Sequence, residues 1–457
     1  MKKLQKRIII GFLVLVLLPT MSISSFANEK NGRYIKSTIT FIPYSGFGST
    51  SIAHFNNALW EWNNASSKNL MNRSPTERHN ASYYDTSYNA PDDGKSYIYA
   101  CNTGSINYMT QRRIYPRSGD AVTSADINFN MHANYPWANS QQQGKYDVWT
   151  AFMFETGSVA GLGSPSDSSS VMHMPEKNKL RRSPSSGDRR VIRSIYYPGS
   201  KSTFMIAGQE KDEDEQSYNS NEKDAIILDG IMPVFTLKDL INYSTLIVNA
   251  TCVRCSDPFK IQAYDGGISV FQDYYFEIQN TLMGESKTGK IVKVRLEGGE
   301  LDGLKVVERN NPKFEIGNTV ILFLYQPNMG GGFNVEDSSC YYPVGLRQGV
   351  YNETDQRAEN SSLICLQSEK LYYSGSDRFT LDEIADQAKQ AQKEYVNQIA
   401  KERNSFTSKV DLKKYKDDQI LRLYEENIKQ YKDAGVINDY GYSELNKSIT
   451  HYARIVK

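Results

Sequence analysis

Tyr146-Asp-Val-Trp-Thr-Ala-Phe-Met-Phe-Glu-Thr-Gly-Ser-Val-Ala-Gly-Leu-Gly-Ser-Pro-Ser-Asp-Ser-Ser-Ser-Val-Met-His173 holds the strongest pattern in this chain. Its first half, Tyr146 to Ala160, is apolar with a helical period, and Gly161 and Gly163 stop it. One acid, Glu155, stands inside that apolar run. An acid in such a place is either a chemical group or a buried carboxyl hydrogen-bonded to backbone, because burial without partners is costly.

The flanks add regular elements. Ser37 to Pro43 reads as a strand. Ile52, Phe55, Leu59 and Trp62 recur at helical spacing over 51–64, and Ser49, Thr50 or Ser51 can cap that helix. Residues 64–94 are polar and rich in Asn, Ser and Tyr, a surface-loop composition. The segments 97–100, 106–114 and 125–131 read as strands, and 185–197 as an amphipathic helix with Val191, Ile192 and Ile195 on one side.

With these flanks, the opening stretch resembles the active-site region of matrixin-type metzincin metalloproteases. Their pattern is H-E-x-G-H-x-x-G-L-x-H, followed by an S-V-M turn. Glu155 falls on the general-base position, Gly157, Gly161 and Leu162 on the pattern positions after it, and Met172 on the methionine of the turn. The resemblance covers about Tyr34 to Tyr197. It includes the early Trp-containing helix, the Asp126-Ile-Asn-Phe-Asn strand and the closing helix of residues 185–196. It implies an α+β fold with a metzincin-like N-terminal domain and a zinc peptidase ancestry.

The zinc-binding histidines of that pattern fall on Phe154, Ser158 and Ser164. Zinc in this arrangement needs two imidazoles at i and i+4 on one helix face and a third donor after the glycine turn of Gly161, Leu162 and Gly163. Phe154 has no lone pair, and neutral hydroxyls are poor zinc ligands. Without the ion nothing lowers the pKa of water toward about 7, so Glu155 has no activated nucleophile to serve. No metal site and no cofactor are therefore expected. His132 and His173, with Asp167 or Glu155, are the remaining candidates for an irregular metal site, and His54, His79 and His451 show no ligand spacing. There is no G-x-S-x-G elbow and no P-loop.

The whole chain has 457 residues, 53 Lys+Arg against 52 Asp+Glu, and a net charge of +1. That balance argues against attachment to nucleic acid by bulk charge. A mean hydropathy of −0.56 excludes a polytopic membrane protein. Lys2, Lys3, Lys6 and Arg7, the apolar run 8–18 and Ser25-Phe26-Ala27 read as a signal peptide cleaved after Ala27, which implies secretion and no membrane span in the mature chain. The expected domains are 28–200 (matrixin-like), an acidic linker at 201–224, a β-rich barrel or sandwich at 225–370, and a small helical region at 376–457. In the β-rich part, the turn signals Asp265-Gly-Gly, Gly298-Gly and Gly330-Gly-Gly separate strand-like runs. Five cysteines, Cys101, Cys252, Cys255, Cys340 and Cys365, leave at least one unpaired within the monomer. Cys252-Val-Arg-Cys255 is read as a local disulfide or two plain thiols on a strand.

The leading functional expectation is a secreted pseudo-protease that binds a protein or peptide, the peptide laid against the sheet edge. The alternatives are an active or atypical zinc metalloendopeptidase, and a cell-envelope interaction protein acting through its β domain.

Overall fold

A computed structural model describes residues 30–31, 33–80, 93–101, 106–118, 121–132, 134–165, 167–197, 225–262, 268–286, 288–326, 339–354, 357–360, 378–403 and 412–456. The expected signal peptide, the acidic linker, the turns at 265–267 and 330–332, and Cys365 lie outside these residues.

Strands β1 (Tyr34–Ile35) and β2 (Ile39–Pro43) lead into helix α1 (Ser49–Ser66). Strands β3 (Met71–Arg73), β4 (Ser96–Cys101), β5 (Thr110–Ser118) and β6 (Ala121–Asn130) follow. The short pair β7 (Trp137–Ala138) and β8 (Tyr146–Asp147) precedes α2 (Val148–Val159), and α3 (Ser186–Tyr196) closes this half. The second half begins with β9 (Ile226–Ile231), α4 (Leu237–Tyr243), β10 (Leu246–Cys255), β11 (Phe259–Gln262) and β12 (Ile268–Met283). It continues through β13 (Ile291–Glu297), β14 (Gly299–Leu301), β15 (Leu304–Glu308), β16 (Thr319–Tyr325), β17 (Cys340–Pro343), β18 (Val350–Thr354), β19 (Arg357–Asn360) and β20 (Arg378–Thr380). Helices α5 (Leu381–Arg403), α6 (Leu412–Asp433) and α7 (Asp439–Val456) end the chain. The fold class is mixed α+β.

The helix expected from Tyr146 starts at Val148 because Asp147 caps it. The Asp147 carboxylate accepts the Thr150 N–H at 2.9 Å, satisfying a donor that has no partner within the helix. Helix α1 buries Phe55, Leu59 and Trp62, as their spacing predicts, and stops where Ser67 turns left-handed at φ 56°. It packs on α2 through Phe55 and Phe152, with ring centroids 4.7 Å apart, and the Trp62 indole N–H donates to the Met153 carbonyl at 3.0 Å.

These helices lie on a sheet of order β14-β15-β9-β5-β6-β4-β2-β3, with β1 also paired to β6. The β2–β3, β2–β4 and β4–β6 pairs are parallel, whereas β5 runs antiparallel to both β6 and β9. A second sheet closes on itself. Strands β10, β12, β13, β17 and β16 form a five-stranded barrel, shut by the antiparallel β10–β16 pair from Leu246↔Leu324 to Thr251↔Thr319. Val248, Phe276, Ile278, Val294 and Leu322 fill its interior. Of the expected barrel or sandwich, the barrel is what forms.

Not every strand of 225–370 joins the barrel. Strand β9, and the β14–β15 hairpin that leaves the barrel after β13, pair into the first sheet. Ile227 and Ile231 of β9 are fully buried, so apolar burial as well as main-chain bonding holds the strand there. The C-terminal helices are likewise shared. Helix α5 buries Ile384 and Ala388 against the barrel side, whereas α6, α7 and the turn between them bury Tyr424, Ile428, Tyr431, Val436, Ile437 and Leu445 in the first core. Their charged residues do form a solvated face, but their apolar stripe completes the N-terminal half.

The seam is closely fitted. The Tyr431 hydroxyl donates to the Tyr135 carbonyl at 2.6 Å, the Asn438 side chain to the Ser45 carbonyl at 2.7 Å, and the Ser51 hydroxyl to the Val436 carbonyl at 3.0 Å. A Cβ on Gly48 would lie 2.1 Å from the Gly435 carbonyl oxygen. Ile437→Ala should therefore destabilise the N-terminal half by about 2–5 kcal/mol, as for other fully buried aliphatics. Urea unfolding followed by Trp fluorescence reads this, since Trp62 and Trp137 lie in the same core. An unchanged midpoint would mean the seam is dispensable.

Candidate functional site

Helix α2 packs on β5, β6 and β9. Close packing on its opposite side needs Gly157. A Cβ there would lie 2.3 Å from the Met172 sulfur and 2.6 Å from the Trp62 ring. Met172 thus sits directly against the helix, fully buried.

Glu155 is fully buried and points to the sheet. Its Oε2 accepts from Arg112 Nη1 at 2.6 Å, and its Oε1 accepts from the Thr110 hydroxyl and from the Ile231 backbone N–H at 3.2 Å. The other arm of Arg112 donates to Asp229 of β9. The guanidinium also lies 6.0 Å from the Phe154 ring centroid. Burial lifts the Glu155 carboxyl above its ordinary range, opposed by the Arg112 charge and the Thr110 and Arg112 hydrogen bonds. Burial works against the Arg112 charge as well, yet Asp229 and Glu155 hold that charge more firmly than usual. For Asp229 burial again favours the neutral form, but Arg112 and Arg309 hold it below the carboxylate range. Both oxygens of Glu155 are already engaged, so this acid is tied into a charge network and is no free base.

Phe154, Ser158 and Ser164 stand where the resemblance places zinc-binding histidines. Phe154 is 2% exposed and Ser158 3%, both in the core, while Ser164 is half-buried beyond the turn. Gly161 turns with φ +100°, and a Cβ there would meet the Arg33 carbonyl oxygen at 2.2 Å. The segment beginning at Lys30 crosses the end of α2. The Asn31 amide donates to the Ser158 and Leu162 carbonyls at 2.8 and 3.1 Å, tying this segment to the last turn of the helix and to the loop after it. Leu162 is fully buried and Gly163 half-buried. A phenyl ring and two neutral hydroxyls do not make a zinc site, so the residues do not fit the ion.

The other candidates are dispersed. His173 Nδ1 lies 3.3 Å from the Met174 carbonyl and 3.7 Å from Glu176. Asp167 accepts from Ser169. His54 Nε2 lies 2.8 Å from the Asn139 carbonyl, His79 Nε2 lies 2.9 Å from the Ile98 carbonyl, and His451 lies in α7. Among the described residues no group of three His, Cys, Asp or Glu side chains converges to hold a metal. Cys252 and Cys255 sit on β10 as two thiols, the first inside the barrel and the second half-buried, and burial pushes both pKa values up.

Arg112, Thr110 and Asp229 are the residues the sequence reading missed. A signal was present. A buried Glu needs a counter-charge, and Arg112-Arg113 is a charged pair inside a segment already read as a strand.

No family model matches the chain, and no curated protein matches it.

His132 gives a pH test of this core. It is buried, its Nδ1 accepts the Asn134 N–H at 3.2 Å, and burial pushes its pKa down to about 4. A base with a lowered pKa stabilises the fold fully above its unfolded value of about 6.5, and that contribution is lost as pH falls toward the folded value. The urea midpoint should therefore drop as pH is lowered from about 6.5 to 4, and drop less in His132→Gln. Parallel slopes for the two proteins would contradict a neutral His132.

Proposed function

We propose that this chain is a secreted, matrixin-like scaffold that has lost zinc and peptidase activity and acts by binding a protein or peptide. The observation that carries the reading is the state of Glu155. The acid at the general-base position is neutralised by a guanidinium and hydrogen-bonded to a peptide N–H of the chain's own β9. Peptide hydrolysis needs an activated water at that carboxylate, and both oxygens of Glu155 already have donors from the chain itself. The order of strand, helix, strands, helix, methionine turn and helix supports the matrixin-like ancestry.

Strand β9 also bears on how binding would occur. It lies antiparallel along β5 from Thr110↔Ile231 to Ile114↔Ile227, so this edge of the sheet already has its strand. A peptide partner laid there would have to displace five paired residues. A peptide adding to this sheet would instead meet its outermost strands, β14 or β3.

Metal analysis of the purified protein after incubation with zinc and gel filtration tests the reading, with well below one zinc per chain expected. One tightly held zinc per chain, or casein cleavage abolished by a chelator, would overturn it. The triple variant Phe154→His, Ser158→His, Ser164→His tests the ancestry separately. It should gain zinc, and a folded variant without zinc would count against the resemblance.

A further inference from the structure

The bridge Glu155–Arg112–Asp229 holds more buried charge than packing alone requires. Two carboxylates, from α2 and β9, converge on one guanidinium from β5. The side chains of Arg112, Glu155 and Asp229 are 6%, 0% and 18% exposed. Arg112 Nε is buried and has no hydrogen-bond partner among the described residues. The guanidinium is therefore held by its two terminal nitrogens, as an ion seated between two anions. Around it stand two carboxylates, oxygen donors of the kind that take hard cations, and the Thr110 hydroxyl steadies one of them through the far oxygen of Glu155.

We propose that Glu155 and Asp229 form a cation site whose resident cation is the Arg112 guanidinium. This tethered charge braces helix α2 against β5 and β9, as a bound ion would. The side chain cannot dissociate and stays charged at any physiological pH, so the brace needs no ion from solution. The site stands on this geometry alone, whatever the ancestry of the fold.

The test uses the full chain carrying Arg112→Ala, with guanidinium chloride and calcium chloride, each at millimolar concentration, as probes. The variant should lose at least about 5 °C in Tm, since removing one member of a buried ion group strands the others. Either cation should recover part of that loss saturably and leave the parent unmoved. Adding Glu155→Gln and Asp229→Asn to Arg112→Ala should restore stability and abolish the response to cations. An Arg112→Ala protein as stable as the parent would overturn the proposal. So would an equal cation response in the charge-free triple variant. If Arg112→Ala does not fold, Arg112→Met with Glu155→Gln and Asp229→Asn keeps the volume and removes every charge. It should fold with a Tm within a few degrees of the parent, and its failure to fold would show that stranded carboxylates are not what destabilises Arg112→Ala, which would overturn the proposal.

Discussion

Taking a carboxylate out of water costs several kcal/mol unless a counter-charge and hydrogen bonds go with it. Glu155 sits in the main core with no exposed surface, so the structure around it must supply both. The solution recruits three separate parts of the chain. Helix α2 carries the acid, β5 supplies Arg112 and Thr110, and β9 supplies Asp229 and the Ile231 N–H. None of these elements can move far without stranding a charge. That requirement ties residue 229, in the second half of the chain, into the core of the first.

The same interleaving recurs around the barrel. Arg113 of β5 reaches Glu297 at the end of β13 at 2.8 Å. The Tyr108 hydroxyl donates to Glu308 of β15 and accepts from the Asn310 amide at 2.8 Å. The Asn107 side chain donates to the Pro343 carbonyl at 3.2 Å and accepts the Gly345 N–H at 2.7 Å. Burial pushes Glu308 up to about 8, which is tolerable for an acid that shares a hydrogen-bonded seam with neutral partners. The two halves therefore share a sheet and a polar seam, and a fragment ending near residue 200 would leave β5 as a bare edge, open to aggregation.

The elements of the first half were largely legible, because helices such as α1 and α2 carry their period in the sequence and α2 carries its glycine stop too. The barrel was legible only as β-rich composition, since closure depends on pairing between strands as distant as β10 and β16. The roles of β9 and of α6–α7 were not legible. Ile226–Ile231 follows an acidic stretch and precedes the barrel, so local pattern assigns it to the barrel. Tyr424, Ile428 and Tyr431 of α6 share one helix face, but their spacing does not say which core receives it. At the site, the sequence marked Glu155, Phe154, Ser158 and Ser164, yet Arg112 and Asp229 are joined to Glu155 only through sheet pairing that no local motif encodes.

The docking of the α6–α7 turn against the start of α1 and the loop before it also sets a clock. Asn438 binds the Phe47 carbonyl across 391 positions of sequence. At a translation rate of about 5–20 residues/s, the ribosome needs roughly 20–80 s between making those two residues. Throughout that interval the nascent N-terminal half presents an unfilled hydrophobic surface where Tyr431, Val436 and Ile437 will later sit. The first core of this protein therefore cannot close during synthesis until residue 438 has been made.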